Sequence, residues 1–421
     1  MNHAEFGLLG EKLGHSFSPQ IHRALGGYAY DLIELTPEEL PAFLRAGRFR
    51  GVNVTIPYKQ AVMPYLDEIA PEAKAIGSVN TIVKDAEGRL LGYNTDYSGF
   101  TALLVRHGMR PEGKKCLVLG SGGASKTVTA CLKDLGAREI RVISRRGEDN
   151  YENLDRHRDA DLIVNATPVG MYPHGGVSPV DLARFPNLRG VADLIYNPAR
   201  TALLLQAEDR GIPCVNGLYM LVAQARDAVE RFLGTQIPAA RIDEVTADLA
   251  WETANLVLIG MPGSGKTTLG RRLAERTGKR LLDTDAMLEA EDGRTCGDII
   301  RQDGEDAFRR KETEILRRAC AQTGCVIATG GGAVTRPENR DLLRQNGMIV
   351  HVERRPEAGV LGADRPLSAD PEAWERLRKI RAPLYAAWRD LRVENDDPDA
   401  AAEIILAEAR RRTGPEGAEE A

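Results

Sequence analysis

Short apolar runs alternate with longer amphipathic stretches along almost the whole chain. "FGLLG", "GVNVTIP", "KCLVLG", "IRVISR", "DLIVNAT" and "GVADLIY" come first, and "NLVLIG", "GCVIATGG" and "GMIVHVE" follow past residue 250. Runs this short, bounded by glycines and polar residues, read as strands buried on both faces. Between them lies helical spacing. "TALLLQAEDRG" and "LGRRLAERTG" show it well, and each ends in a glycine suited to close a helix. Strands separated by helices predict an α/β fold with parallel sheets covered on both sides.

The pattern weakens at "GTQIPAARIDEVTADLAWETAN", Gly234 to Asn255, a charged amphipathic stretch between a helix end and the next strand. We place the main boundary there, giving domains over 1–250 and 251–415 and a polar tail over 416–421. The distribution of motifs divides the first domain into two lobes. One takes about 1–100 with 217–245, and the other about 101–216.

The remaining composition narrows the classes. A chain of 421 residues holds two or three domains, and a net charge of -5 argues against a nucleic-acid binder. The start carries no basic segment followed by an apolar run, and no apolar stretch approaches membrane-spanning length. A cytoplasmic protein with no membrane partner is expected. The six cysteines include no CxxC pair, which favours reduced thiols over a zinc site.

"KCLVLGSGGASKTVTACLKDLG" reads as a strand, a glycine turn and a helix beginning near Ala124. Gly120, Ser121, Gly122, Gly123 and Ala124 would bring bare backbone and a helix N-terminus to a pyrophosphate. Ser125 stands where a third glycine is usual. The next strand ends in "RVISRRG". Ser144, Arg145 and Arg146 occupy the place where a carboxylate would meet the ribose of NAD. Arginines there suit a 2'-phosphate, so the cofactor expected is NADP(H). A pair of solvated surface arginines is the plainer alternative.

"GHSFSPQIH" sets Ser16 and Ser18 two apart. In an extended segment both hydroxyls would face one carboxylate, although Ser18 before Pro19 also reads as a helix N-cap. "GVNVTIPYK" adds Thr55 and Lys59, "GSVNTIV" adds Asn80, and "GYNTDYSGF" adds Asp96. In this order, ahead of a dinucleotide loop, these motifs closely resemble shikimate dehydrogenase over about residues 5 to 245. The likeness extends through "NATPVGM", "DLIYNP" and "NGLYMLVAQA". It implies a two-lobed enzyme with a Rossmann-type NADP domain. It also implies that Lys59 and Asp96 flank the reacting carbonyl and that Ser16 and Ser18 hold the substrate carboxylate. Thr55, Asn80, Tyr196 and Gln224 would line the remaining hydroxyls, and Gly217 and Met220 would face the nicotinamide. Hydride reduction of a ketone builds charge on oxygen, and a lysine ammonium can supply the proton.

"GMPGSGKTT" matches the phosphate-loop pattern in full, between the strand "NLVLI" and a helix. Gly263, Ser264, Gly265, Lys266, Thr267 and Thr268 would bind ATP, with Lys266 on the β and γ phosphates and Thr267 on magnesium. "LLDTDAM" gives Asp283 and Asp285, readable as a magnesium ligand and an acceptor-binding acid, or as an N-cap and a surface acid. "EDAFRRKE" gives Arg309 and Arg310, "IATGGGAV" gives Gly330, Gly331 and Gly332, and "DRPLS" and "RKIRAPLY" give Arg365 and Arg381. The set resembles shikimate kinase over about residues 254 to 412, a phosphate-loop α/β domain with a parallel sheet. The resemblance implies shikimate binding by Asp285, Arg309, Gly331 and Arg381, a magnesium role for Thr267 and Asp283, and a lid carrying Arg365. The lid segment "PEAGVLGADRPLS" is short and lacks a second arginine.

One half would then make what the other phosphorylates, a bifunctional enzyme using NADP(H) and ATP with Mg2+ on 3-dehydroshikimate and shikimate. Two alternatives stand beside it. A quinate-type dehydrogenase joined to the kinase would favour NAD, for which an acidic residue near Arg145 or Arg146 would speak. A catalytically inactive sensor of pathway intermediates would have no need of Lys59, Asp96, Lys266 and Asp285 together.

Overall fold

The structure is a computed structural model, described here for residues 5–14, 16–354 and 371–414. Its contacts separate two compact units. The first comprises Met1–Val169, Ser178–Tyr196 and Gln206–Thr246, and the second Gly170–Val177, Asn197–Leu205 and Ala247–Ala421. The division after Thr246 falls within the helix Ala240–Thr253, so the charged stretch read as a connection is largely helical. Two short segments of the first half, Gly170–Val177 and Asn197–Leu205, group with the second unit. Nothing in their sequence announces this.

The first unit holds two sheets. Strands β1 (Phe6–Gly10), β2 (Tyr30–Glu34), β3 (Gly51–Val54), β4 (Glu68–Ile69), β5 (Thr81–Lys84) and β6 (Leu90–Tyr93) form one in the order β2-β1-β3-β5-β6-β4. This sheet is mixed, which corrects the expectation of parallel sheets throughout. β1 runs parallel to β2 and β3, but β5 is antiparallel to both β3 and β6. The cause is the short link between β5 and β6. Asp85 accepts from the Glu87 and Arg89 amides, Gly88 takes φ 83°, and so tight a turn can only reverse the chain.

Strands β7 (Lys115–Leu119), β8 (Glu139–Ile143), β9 (Leu162–Asn165), β10 (Gly190–Asp193) and β11 (Cys214–Val215) form the second sheet, all parallel, in the order β11-β10-β9-β7-β8. All five residues of β7 are buried, as a strand covered on both faces requires. The helices Thr95–Arg106 and Leu218–Leu233 pack on one another. A methyl group on Gly99 would lie 2.8 Å from the Met220 carbonyl oxygen and 2.8 Å from Gln224 Cβ, so the two backbones meet closely. That packing sets Thr95, the residue before Asp96, against Gln224 on the other helix.

The second unit carries a third parallel sheet, β12 (Asn255–Ile259), β13 (Arg280–Asp283), β14 (Cys325–Ala328), β15 (Gly347–Glu353) and β16 (Leu391–Glu394), in the order β13-β14-β12-β15-β16. β12 is buried along its whole length, and the phosphate loop springs from its C-terminal end. No helix among the described residues is long and apolar enough to cross a membrane.

Candidate active sites

In the first unit, β3 ends at Val54 and the Thr55 amide donates to the Leu9 carbonyl at 2.9 Å. A turn closed by Tyr58 N to Thr55 O then delivers Lys59, whose carbonyl accepts from Val79 N at 2.8 Å. Asp96 is the second residue of Thr95–Arg106, a helix capped by Asn94 Oδ1 accepting from Tyr97 N. Lys59 Nζ donates to Asp96 Oδ2 at 2.5 Å. Both side chains keep some access to solvent, at 24% and 17%. Asn80 bonds Thr95, and the Thr95 hydroxyl reaches Gln224 Oε1 at 3.3 Å.

Ser16 and Ser18 do not form an extended pair. The helix Ser18–Gly26 starts at Ser18 with Pro19 in its first turn and Phe17 at the N-cap, so neither the extended reading nor the Ser18 N-cap holds. Ser16 Oγ instead accepts from the Ser18 amide at 3.2 Å. The Phe17 ring faces Tyr196 at 5.8 Å between centroids, and burial raises the Tyr196 hydroxyl pKa.

The glycine turn follows β7. Gly120 takes φ 103°, and a methyl there would stand 2.9 Å from Thr167 Cγ2. By contrast, the space over Gly122 and Gly123 is open. The helix Gly123–Asp134 begins with Gly122 as its N-cap and no capping side chain, leaving amides to face a ligand. Ser125, in place of a third glycine, is buried. A cavity of about 590 Å³ is lined by Gly120, Ser121, Gly122, Ser144, Arg145, Tyr151 and Thr167, among others. Arg145 and Arg146 are both exposed, and Arg145 lines this cavity. Tyr151 was not anticipated; it stands in "GEDNYEN", where no periodicity marks it. Gly217 caps Leu218–Leu233 and passes so near β10 that a methyl on it would meet the Leu194 carbonyl oxygen at 2.1 Å. Met220 follows in the first turn.

In the second unit, Gly265 takes φ 86° and caps Lys266–Thr277. Lys266 Nζ donates to the carbonyls of Gly260 and Met261 at 2.9 and 3.0 Å. Thr267 Oγ1 donates to Asp283 Oδ2 at 2.7 Å, while Asp283 Oδ1 accepts from the Asp285 and Ala286 amides. Asp283 therefore caps a helix with one oxygen and faces the phosphate loop with the other. A cavity of about 370 Å³ contains Gly263, Gly265, Lys266, Thr267, Thr268, Asp283, Asp285, Arg309, Gly331 and Arg381. Ser264 lies outside this lining, buried behind the loop. Arg310 is exposed and pairs with Asp306. Arg365 and the lid segment lie outside the described residues.

Glu312 also lines this cavity and was missed. It lies one helical turn past Arg309, is 2% exposed, and accepts from Arg309 Nη1 at 2.7 Å. The spacing of three along a helix was a usable signal. Arg381 donates to the Gly331 carbonyl at 3.1 Å, and Tyr385 does so at 2.5 Å. Over the glycine run press side chains of the site itself. A methyl on Gly332 would sit 2.1 Å from the Arg309 guanidinium. Asp285 is open to the cavity, yet the protein crowded around its carboxyl, with Glu312 and then Asp283 adding repulsion, pushes its pKa up to about 6. Asn395 was also missed. Its Nδ2 donates to the Ser264 carbonyl at 2.8 Å and bears on Gly265 from behind.

Residues 8–82 match the family model described as shikimate dehydrogenase substrate binding domain. A shikimate dehydrogenase (NADP(+)) of Clostridium perfringens is 37% identical over 267 residues, covering 58% of this chain and 97% of the relative. The chain belongs to the shikimate dehydrogenase family. Residues 262–409 match the shikimate kinase family model, so the two families follow one another in one polypeptide. Among solved structures, a chorismate mutase/shikimate 5-dehydrogenase fusion from Clostridium acetobutylicum is 40% identical with TM-score 0.55, covering 58% of this chain and 96% of that one. The shikimate 5-dehydrogenase of Thermus thermophilus, in complex with NADP(H) and shikimate, is 35% identical with TM-score 0.51, covering 57% and 97%. That family places the two-lobed first unit among enzymes, and the kinase match does the same for the phosphate-loop unit.

Proposed function

We propose that this chain reduces 3-dehydroshikimate to shikimate with NADPH in its first unit and phosphorylates shikimate with ATP in its second, giving shikimate 3-phosphate. The observation that carries the first half is the Lys59–Asp96 pair at 2.5 Å, beside Asn80 and Gln224. NADPH supplies the hydride when bound. Lys59 donates a proton to the ketone oxygen as charge builds there, and Asp96, bonded to the ammonium, aims it. Ser16 and Ser18 hold the substrate carboxylate, while Thr55, Asn80, Tyr196 and Gln224 position its hydroxyls. The residues present fit the cofactor. The room above Gly122 and Gly123 suits a pyrophosphate, and Arg145 suits a 2'-phosphate.

For the second half, the carrying observation is one cavity that contains the phosphate loop, Asp285, Arg309 and Arg381. ATP with magnesium supplies the phosphoryl group, and the Thr267–Asp283 contact is where such a cation would be held. The two arginines grip the acceptor carboxylate, and Asp285 takes the proton of the attacking hydroxyl. Gly217 and Met220 border the nicotinamide end of the first site.

Two assays on the full chain test the reading. Loss of NADPH absorbance on adding 3-dehydroshikimate reports the first reaction, and transfer of label from γ-labelled ATP to shikimate reports the second. Failure of either in a folded protein overturns that half. Quinate with NAD, tried in parallel, tests the quinate-type alternative.

A further inference from the structure

Behind the first site lies a buried polar chain whose amide orientations are fixed by backbone groups. Asn53, Asn80, Thr81 and Thr95 are each 6% exposed or less. Their amides cannot flip freely. Asn80 Oδ1 accepts from the Thr95 backbone N–H at 2.7 Å, which only an oxygen can do. Asn53 Nδ2 faces the Asn80 carbonyl at 3.4 Å, and Gln224 Nε2 donates to the Leu221 carbonyl at 2.8 Å. Tyr30 Oη donates to Asn53 Oδ1 at 2.8 Å from the far end.

The hydroxyls then follow. The Thr95 hydroxyl has two oxygens within reach that can only accept, Asn80 Oδ1 at 3.2 Å and Gln224 Oε1 at 3.3 Å. Thr95 Oγ1 in turn accepts from Asn80 Nδ2 at 3.1 Å and lies 3.1 Å from Thr81 Oγ1. Thr81 Oγ1 takes the Asn53 Nδ2 hydrogen at 3.0 Å, and its own hydrogen goes on to Thr95 or to Asn80 Oδ1, each 3.1 Å away. The result is one connected series, from Tyr30 to Asn53 to Thr81, on to Thr95 and Asn80, with Thr95 reaching Gln224. It fixes Asn80 Oδ1 on the Thr95 backbone N–H and holds Gln224 Oε1 at the Thr95 hydroxyl.

We infer that Thr81, fully buried and out of reach of any ligand, is a positioning residue. Through Thr95 it holds Asn80 and Gln224 as hydrogen-bond donors toward substrate hydroxyl oxygens. This rests on the reading above that Asn80 and Gln224 contact a polyhydroxylated substrate. The specificity it implies is for a ligand whose hydroxyls accept from these amides and donate elsewhere. An analogue lacking those oxygens would leave these N–H groups unmatched.

The test compares Thr81→Val, which removes the hydroxyl at constant shape, with Thr81→Ser, which keeps it, in the full chain. The reading predicts that Thr81→Val raises the KM for 3-dehydroshikimate by about tenfold. It predicts a smaller change in kcat, an unaltered KM for NADPH, and near wild-type values in Thr81→Ser. A folded Thr81→Val enzyme with an ordinary ketone KM overturns the proposal, as does one whose KM for NADPH and kcat fall away together. Should Thr81→Val not fold, Tyr30→Phe, which removes the first donor, must show the same selective rise in ketone KM, and its absence overturns the proposal equally. If wild-type protein fails to turn over the ketone, the functional reading fails by itself. Side-chain amide NMR of Asn80 and Gln224 in wild type and Thr81→Val then decides the positioning role, with unchanged signals contradicting it.

Discussion

Asp285 and Glu312 converge over the bare backbone of Gly330. A methyl group there would lie 2.6 Å from Asp285 Oδ1 and 2.3 Å from Glu312 Oε1. Two carboxylates held so near, one with its pKa pushed up to about 6, make the kinase site sensitive to acid. Ionised Asp285 is the form that accepts a proton. Phosphoryl transfer, followed as kcat/KM for shikimate, should therefore rise with pH through about 6 and level off above it. Glu312→Gln removes the nearest repelling charge and should move that limb to lower pH. The stability sign is opposite: a carboxyl raised from 3.8 to about 6 binds its proton more tightly when folded, so its contribution to stability declines as pH rises across that window. A pH-independent rate between 5 and 7 would contradict the assignment of Asp285.

Gly332 is a second test of the acceptor side. Its backbone, at φ -102°, accepts any residue, so the effect of Gly332→Ala is steric and falls on Arg309. Crowding of this kind costs about 1–3 kcal/mol, or about fivefold to 150-fold. We expect that loss in the KM for shikimate, with the KM for ATP little changed. Steady-state kinetics with each substrate varied checks it, and equal loss for both would move Arg309 away from the acceptor.

Arg145, rather than Arg146, should decide the cofactor. Arg145→Ala removes a charge-assisted contact worth about 1.5–3 kcal/mol and should weaken NADPH far more than NADH. Arg146→Ala should do little. Comparing the two cofactors in each variant settles whether either arginine reads the 2'-phosphate.

Much of this was legible in the chain. Glycine turns after apolar runs marked both nucleotide loops because backbone freedom and strand burial leave local signatures. The reversal at β5 and β6 was not read, since a short turn differs from a longer connection only in its Asp85–Gly88 chemistry. Asn395 escaped because it bonds the Ser264 carbonyl, distant in sequence, whereas Glu312 stood three residues past Arg309 and was readable. Thr81 was passed over as part of "GSVNTIV", where only Asn80 stood out, since a buried hydroxyl acquires meaning only from what surrounds it. The segments Gly170–Val177 and Asn197–Leu205 likewise group with the second unit through contacts no local pattern foretells.

The central claim is that two chemistries run in sequence on one chain, the first through Lys59. Incubating the full chain with 3-dehydroshikimate, deuterium-labelled NADPH and ATP with magnesium, and analysing the products by mass spectrometry, tests it most directly. The account predicts shikimate 3-phosphate carrying one deuterium, formed only when both NADPH and ATP are present. Lys59→Met should lower its formation by about 10²–10⁴ while added shikimate is still phosphorylated normally. Deuterated product formed at the wild-type rate by Lys59→Met, or phosphorylated product without deuterium from the ketone, would contradict the account.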